Sequence, residues 1–200
     1  PLLAGDGLPF EPGVAAGADW RLALVAALAD HYRAHPAPNG PLRSVLEPRA
    51  LDDAGSLCAA MIKASRAGIA VDLRPMIDNF VAFVSTKAFR LPDGTLARNR
   101  PQPNTRWLDD LYMGVPALAQ MGKLTGERRD TDDAVKQVLQ FSRRMFNRDQ
   151  GLFMHGWVQG MDAHPEFRWA RANGWAVMTL VELLDVLRPL YRQAPSGARR

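Results

Sequence analysis

The stretch from Trp107 to Leu118 reads WLDDLYMGVPAL and says most about the fold. Its apolar residues recur at intervals of three and four, which predicts an amphipathic helix over about 107–124. No regular alternation of strands and helices is visible, so the fold class is predicted to be all-α rather than a parallel sheet. Helices with the same apolar spacing are predicted over about 18–34, 52–67, 71–87, 131–146 and 173–192.

Two loops between these helices share one pattern. Residues 89–96 read FRLPDGTL and residues 146–153 read FNRDQGLF. Each begins at Phe, turns at Asp and Gly, and continues into a short apolar piece, as hairpin loops do. A repeated unit of helix, hairpin loop and helix predicts antiparallel helix pairs arranged as an arc, in a solenoid or a helical toroid.

The composition excludes several classes of protein. The 200 residues are 47% hydrophobic and 23% charged, which suits a single globular domain. The net charge of +4 gives no reason to expect nucleic-acid binding, and no apolar run approaches the ~20 residues that cross a membrane. Cys58 is the single cysteine and lies in an apolar stripe, which favours a core position. His31 and His35 lack the glutamate of a zinc-protease helix, so no metal site is expected.

Two pairs of aspartates stand where helices are predicted to begin. Asp52 and Asp53 open one helix, and Asp109 and Asp110 open another. Aspartate is a favoured capping residue at a helix start, so each position taken alone indicates capping. One cap needs only one carboxylate, however, and a toroid brings alternate helix starts to one rim. The doubled pairs therefore also predict acids from two helices facing a common pocket.

The segment 153–157, FMHGW, follows a turn and is predicted to be extended. On a regular strand His155 and Trp157 lie on one side, where an imidazole and an indole suit a sugar ring. The alternative is a histidine bonded to a backbone carbonyl and a tryptophan between helices. The residues alone leave both interpretations open.

Together these segments resemble glycoside hydrolase family 105, the unsaturated rhamnogalacturonyl hydrolases, and the related family 88, the unsaturated glucuronyl hydrolases. The resemblance implies a partial (α/α)6 toroid built from antiparallel helix hairpins, forming one catalytic domain over residues 1–200 that is incomplete at both ends. It implies no metal and no cofactor, and an expected location in the bacterial cytoplasm or periplasm. Ala172 replaces a glycine that is usual in the family. The matching segments are LDDAGS at 51–56, WLDDLYMG at 107–114, GLFMHGW at 151–157 and WARANGW at 169–175.

The resemblance also implies a reaction and a set of roles. Water adds to the C4–C5 double bond of an unsaturated galacturonyl residue, which releases it from rhamnose in pectin (rhamnogalacturonan) fragments. Asp109 is implied as the acid/base, with Asp52 as the second carboxylate and Asp53 as the alternative for that role. The side chains implied to bind the unsaturated oligosaccharide are His155, Trp157, Arg171, Trp175 and Asp53.

Three other functions stay open on the sequence: an unsaturated glucuronyl hydrolase, a truncated inactive relative, and a helical-repeat binding protein. The family's later helices have no counterpart here. We therefore expect uncovered apolar surface on the helix at 173–192, and either missing C-terminal helices or self-association.

Overall fold

The computed structural model describes Ala27 and residues 47–193. The first predicted helix, at 18–34, lies outside the described residues apart from Ala27, which is helical. The described residues form helices at all five of the remaining predicted positions. These are α1 (Leu51–Arg66), α2 (Arg74–Ala82, continued by a π-helical turn over Phe83–Lys87), α3 (Leu108–Thr125), α4 (Arg128–Met145) and α5 (Ala170–Gln193).

The strands are short and belong to the loops. β1 (Thr105–Trp107) pairs antiparallel with β4 (Gly156–Val158), and β2 (Phe146–Asn147) pairs with β3 (Leu152–Phe153). The loop at 89–96 closes through an antiparallel bridge between its own ends. Gly94 and Gly151 turn the two loops with φ of +81° and +65°, a conformation that favours glycine. The predicted pair of hairpin loops is therefore confirmed.

Alternate helices lie parallel, side by side. Arg98 binds acids in the first turns of both α1 and α3, and Arg66 donates to Gln120 at 2.8 Å near their C-terminal ends. Gln120 in turn donates to Glu182 of α5 at 3.1 Å. α4 returns along α3 after the turn at Gly126, whose φ is +78°. The N-terminal ends of α1, α3 and α5 therefore share one rim.

Gly55 sets the distance between α1 and α3. A Cβ atom placed on Gly55 would lie 1.5 Å from the carbonyl oxygen of Met113, so no larger residue fits without moving one helix. Gly55 and Met113 belong to the two aspartate-containing segments. The close approach therefore brings the two acidic helix starts together.

The core lies between the helices, and Cys58 is buried in it as predicted. One side of α5 is not covered by any other part of residues 47–193. Val177, Val181 and Leu184 follow at helical spacing and are 61%, 62% and 62% exposed, as expected for an edge helix. None of the helices within 47–193 is long and apolar enough to cross a membrane.

Candidate active site

The second aspartate of each pair, Asp53 or Asp110, caps the N-terminus of its helix. Asp53 accepts hydrogen bonds from the backbone N–H groups of Arg49 and Ala50 at 2.9 and 3.0 Å. Asp110 accepts the N–H of Trp107 at 3.1 Å. Both stand at the third helical position and bind the backbone just before the helix, as in a capping box. Capping therefore accounts for Asp53, which the sequence had offered for substrate binding and as the alternative second carboxylate.

The first aspartate of each pair, Asp52 or Asp109, takes no part in capping its helix. Asp109 Oδ2 lies 3.4 Å from His155 Nδ1. Both atoms are buried, and neither has a hydrogen-bond partner among the residues that the structure describes. Buried polar atoms without partners are uncommon in folded proteins, and a catalytic role is one explanation for them. Asp52 is about half exposed and forms an ion pair with Arg98 at 3.1 Å.

His155 lies between two tryptophan rings, and an arginine guanidinium stacks on each of these rings. Its ring centroid is 5.8 Å from that of Trp107 and 5.0 Å from that of Trp169. Arg98 lies 4.3 Å above the Trp107 ring and Arg171 lies 3.8 Å above the Trp169 ring. Burial lowers the pKa of His155; Asp109 opposes this, and the two arginine cations add to it. The surroundings of His155 therefore favour the neutral imidazole.

Arg98 joins the two acidic helix starts. Its Nε and Nη2 each lie 2.8 Å from Asp110 Oδ1, and Nη2 also reaches Asp52. Burial raises the pKa of Asp110 to about 6, although Arg98 and the Trp107 N–H act in the opposite direction. Beyond Arg98 and Asp110 lies a cavity of about 150 Å³, lined also by Arg49 and Arg100.

The start of α5 completes the rim. Arg171 is exposed and has no ion pair within the described part of the chain. Trp175 stacks on Tyr112 of α3, with ring centroids 4.7 Å apart and an interplanar angle of 24°. The Asn173 side chain accepts the N–H of Phe153 and donates to its carbonyl, so it ties α5 to the hairpin before His155. The prediction that alternate helix starts share one rim is confirmed, and His155 lies beside the starts of α3 and α5.

The prediction that His155 and Trp157 share one side of a strand is wrong. The chain bends at His155, and regular pairing with β1 begins only at Gly156. Trp157 lies over its strand partner Arg106 at 4.6 Å and beside His164 at 5.2 Å. Arg144 of α4 lies 5.7 Å from the Trp157 ring centroid, so Trp157 faces α4 and not the ring neighbours of His155.

The sequence interpretation missed Arg98, Trp107 and Trp169 as parts of the site. Trp107 and Trp169 were quoted as members of motifs, which was a usable signal. Arg98 stands in a loop without any motif, so only its contacts identify it. Among the described residues, no group of three or more histidine, cysteine, aspartate or glutamate side chains could hold a metal ion.

The sequence model of Glycosyl Hydrolase Family 88 matches residues 19–195. A possible member of family GH105 from Klebsiella pneumoniae is 19% identical, with a TM-score of 0.62 over 88% of this chain and 49% of its own. A second possible member, from Salmonella enterica serovar Paratyphi A, is also 19% identical, with a TM-score of 0.60 over 90% of this chain and 50% of its own.

A family 105 glycoside hydrolase from C. acetobutylicum is 21% identical, with a TM-score of 0.61 over 74% of this chain and 41% of its own. At identities this low, the structural similarity establishes the fold alone. That fold is part of a helical toroid, as predicted. The chain spans half or less of the length of these structures.

Proposed function

Because the chain belongs to glycosyl hydrolase family 88, we propose that it acts on an unsaturated acidic oligosaccharide and hydrates the C4–C5 double bond of its terminal uronyl residue. The substrate that we favour is an unsaturated galacturonyl residue linked to rhamnose in pectin fragments. Asp109 is the proposed acid/base, and Asp52 is the second carboxylate.

One observation carries the choice of an acidic sugar. The Asp109–His155 pair lies beside two guanidinium groups, Arg98 and Arg171, each stacked on a tryptophan. Arg98 already holds carboxylates, whereas Arg171 is free of ion pairs within residues 47–193. A free guanidinium above an aromatic ring suits a carboxylate on a flat, unsaturated sugar, because it can donate two parallel hydrogen bonds.

The chemistry follows from these positions. Asp109 donates a proton to C4 of the alkene, and the positive charge that develops at C5 is shared with the ring oxygen. Water gives its oxygen to C5 and its proton to the Asp109 carboxylate, which restores the acid. The hemiketal at C5 then opens to a ketone, and the hemiacetal left at C1 expels the neighbouring sugar. His155 lies beside Asp109, while Trp175 and Tyr112 form an aromatic wall on which a sugar can stack.

A panel of substrates tests this function. Hydration removes the conjugated alkene, so its ultraviolet absorbance falls as the reaction proceeds. We expect the absorbance of unsaturated galacturonyl-rhamnose to fall with the chain and to remain constant with Asp109→Asn. If the absorbance of every unsaturated disaccharide stays constant while circular dichroism shows that the chain is folded, an inactive relative or a helical-repeat binding protein is favoured instead.

The second candidate is an unsaturated glucuronyl hydrolase. It is favoured by the description of the family whose sequence model the chain matches, Glycosyl Hydrolase Family 88. Unsaturated glucuronyl disaccharides from glycosaminoglycans or gellan belong in the same panel. A higher kcat/KM for these than for unsaturated galacturonyl-rhamnose would select this second function.

A further inference from the structure

The guanidinium of Arg98 is held by a buried carboxylate and an aromatic ring. Asp110 is 1% exposed and binds both Nε and Nη2 of Arg98, and the Trp107 ring lies 4.3 Å from its central carbon. The backbone of Arg98 is also tied to Thr105, with its N–H donating at 2.7 Å. These contacts leave the guanidinium little freedom to move.

Among residues 47–193, no side chain other than Arg98 anchors Asp52. Its side chain is 47% exposed in the first turn of α1, and its ion pair with Arg98 is the contact that holds it. An exposed aspartate at such a position ordinarily samples several rotamers. The chain of contacts from Asp52 through Arg98 and Trp107 leads to His155, the neighbour of Asp109.

We propose that Arg98 is a positioning residue, which uses its anchorage to Asp110 and Trp107 to hold Asp52 in one orientation at the rim beside Asp109 and His155. We call the set Asp52, Arg98 and Asp110 the aspartate–arginine bridge. The effect on catalysis rests on the proposed function, whereas the effect on the orientation of Asp52 does not.

The role needs the forked shape of arginine. A lysine ammonium keeps the positive charge but cannot present two parallel donors to Asp110 while also reaching Asp52. Buried Asp110 loses more by being left unpaired than half-exposed Asp52 does. In Arg98→Lys, the ammonium therefore stays with Asp110 and releases Asp52.

Arg90 provides a matched control. It binds both oxygens of Asp133 at 3.1 and 2.8 Å, and its side chain is 20% exposed, against 19% for Arg98. This pair joins the loop at 89–96 to α4, and within the described part of the chain it contacts none of the rim residues. Arg90→Lys therefore disturbs a similar fork without touching the bridge.

The experiment has two readouts on the folded chain. Three-bond coupling constants measured by NMR report the χ1 rotamer of Asp52, and kinetics on unsaturated galacturonyl-rhamnose report kcat and KM separately. We expect Arg98→Lys to average the Asp52 rotamer and to lower kcat by up to about 100-fold with little change in KM. We expect Arg90→Lys to leave both unchanged.

A single Asp52 rotamer in Arg98→Lys would overturn the proposal, and so would an equal loss of kcat in Arg90→Lys. If Arg98→Lys does not fold, Asp110→Asn gives the second test, because it keeps the cap but removes the charge that anchors Arg98. We expect that variant also to average the Asp52 rotamer. Absence of turnover in the wild type would overturn the proposed function, while rotamer averaging in the variant would still establish the positioning of Asp52.

Discussion

Asp109 Oδ2 lies 3.4 Å from His155 Nδ1, and both atoms are buried without a hydrogen-bond partner in the described part of the chain. Asp110 caps the N-terminus of α3 by accepting the Trp107 N–H. Asp109 is therefore not needed for the cap and can face His155. The same division of labour holds in α1, where Asp53 caps and Asp52 does not. Each doubled pair therefore combines one structural and one candidate catalytic carboxylate.

Opposite effects are expected from the two aspartates of α1. Asp53→Ala removes two hydrogen bonds to the helix start and should cost about 1 kcal/mol of unfolding free energy, with kcat unchanged within a few-fold. Asp52→Asn should lower kcat by about 100-fold or more and cost less than about 1 kcal/mol. Urea unfolding and steady-state kinetics on both variants make the comparison. A catalytic loss confined to Asp53→Ala would reverse the assignment.

Close packing of α1 on α3 gives a prediction about stability. Gly55→Ala places a methyl group against the Met113 carbonyl and should cost about 3 kcal/mol or more, because backbone rather than a side chain must move. Gly174→Ala is the matched control, since a Cβ there meets open space. It should be neutral or stabilising by up to about 1 kcal/mol. Thermal melts followed by circular dichroism decide, and equal effects of the two substitutions would show that the helices can separate at no cost.

Asp110 should make stability depend on pH. Its pKa is about 6 in the folded chain, above the ordinary 3.8, so the folded state keeps a proton that the unfolded state has lost. The unfolding free energy contributed by this group therefore falls as pH rises from about 4 to 6, by about 3 kcal/mol. Asp110→Asn should remove that slope, as measured by urea unfolding at several pH values. An identical slope in the variant would show that Asp110 titrates normally.

Val177, Val181 and Leu184 form a continuous apolar stripe on α5 and should drive self-association of the chain. Val181→Lys interrupts the stripe at its centre and should lower the associated fraction in sedimentation velocity. Leu139→Lys, at a half-exposed position on α4, is the control and should change the fraction little. A monodisperse monomer in the wild type would contradict this expectation.

Helix positions could be predicted from the sequence because apolar spacing reflects burial directly. All five predicted helices within residues 47–193 are present, including α3 through Pro116. The choice between Asp52 and Asp53 could not be made, since it depends on which residue occupies the third helical position. Helix boundaries read from a sequence are uncertain by more than that one residue.

Long-range contacts set the rest of the site. Arg98 is distant from Asp52 in the chain, and no local pattern signals that the two meet. The bend at His155 breaks the alternation on which the shared face with Trp157 depended. The family resemblance supplied Asp109, Arg171 and Trp175, which local spacing alone would have assigned to caps and helix faces.

In the proposed reaction, Asp109 protonates the alkene and does not cleave the glycosidic bond directly. Proton NMR of a single reaction with unsaturated galacturonyl-rhamnose follows the vinylic C4 proton and the anomeric proton of released rhamnose together. We expect the vinylic signal to disappear no later than rhamnose appears, and we expect Asp109→Asn to abolish both changes while it retains the circular dichroism spectrum. Release of rhamnose with the vinylic signal intact at early times, or unchanged turnover by Asp109→Asn, would contradict the proposed reaction.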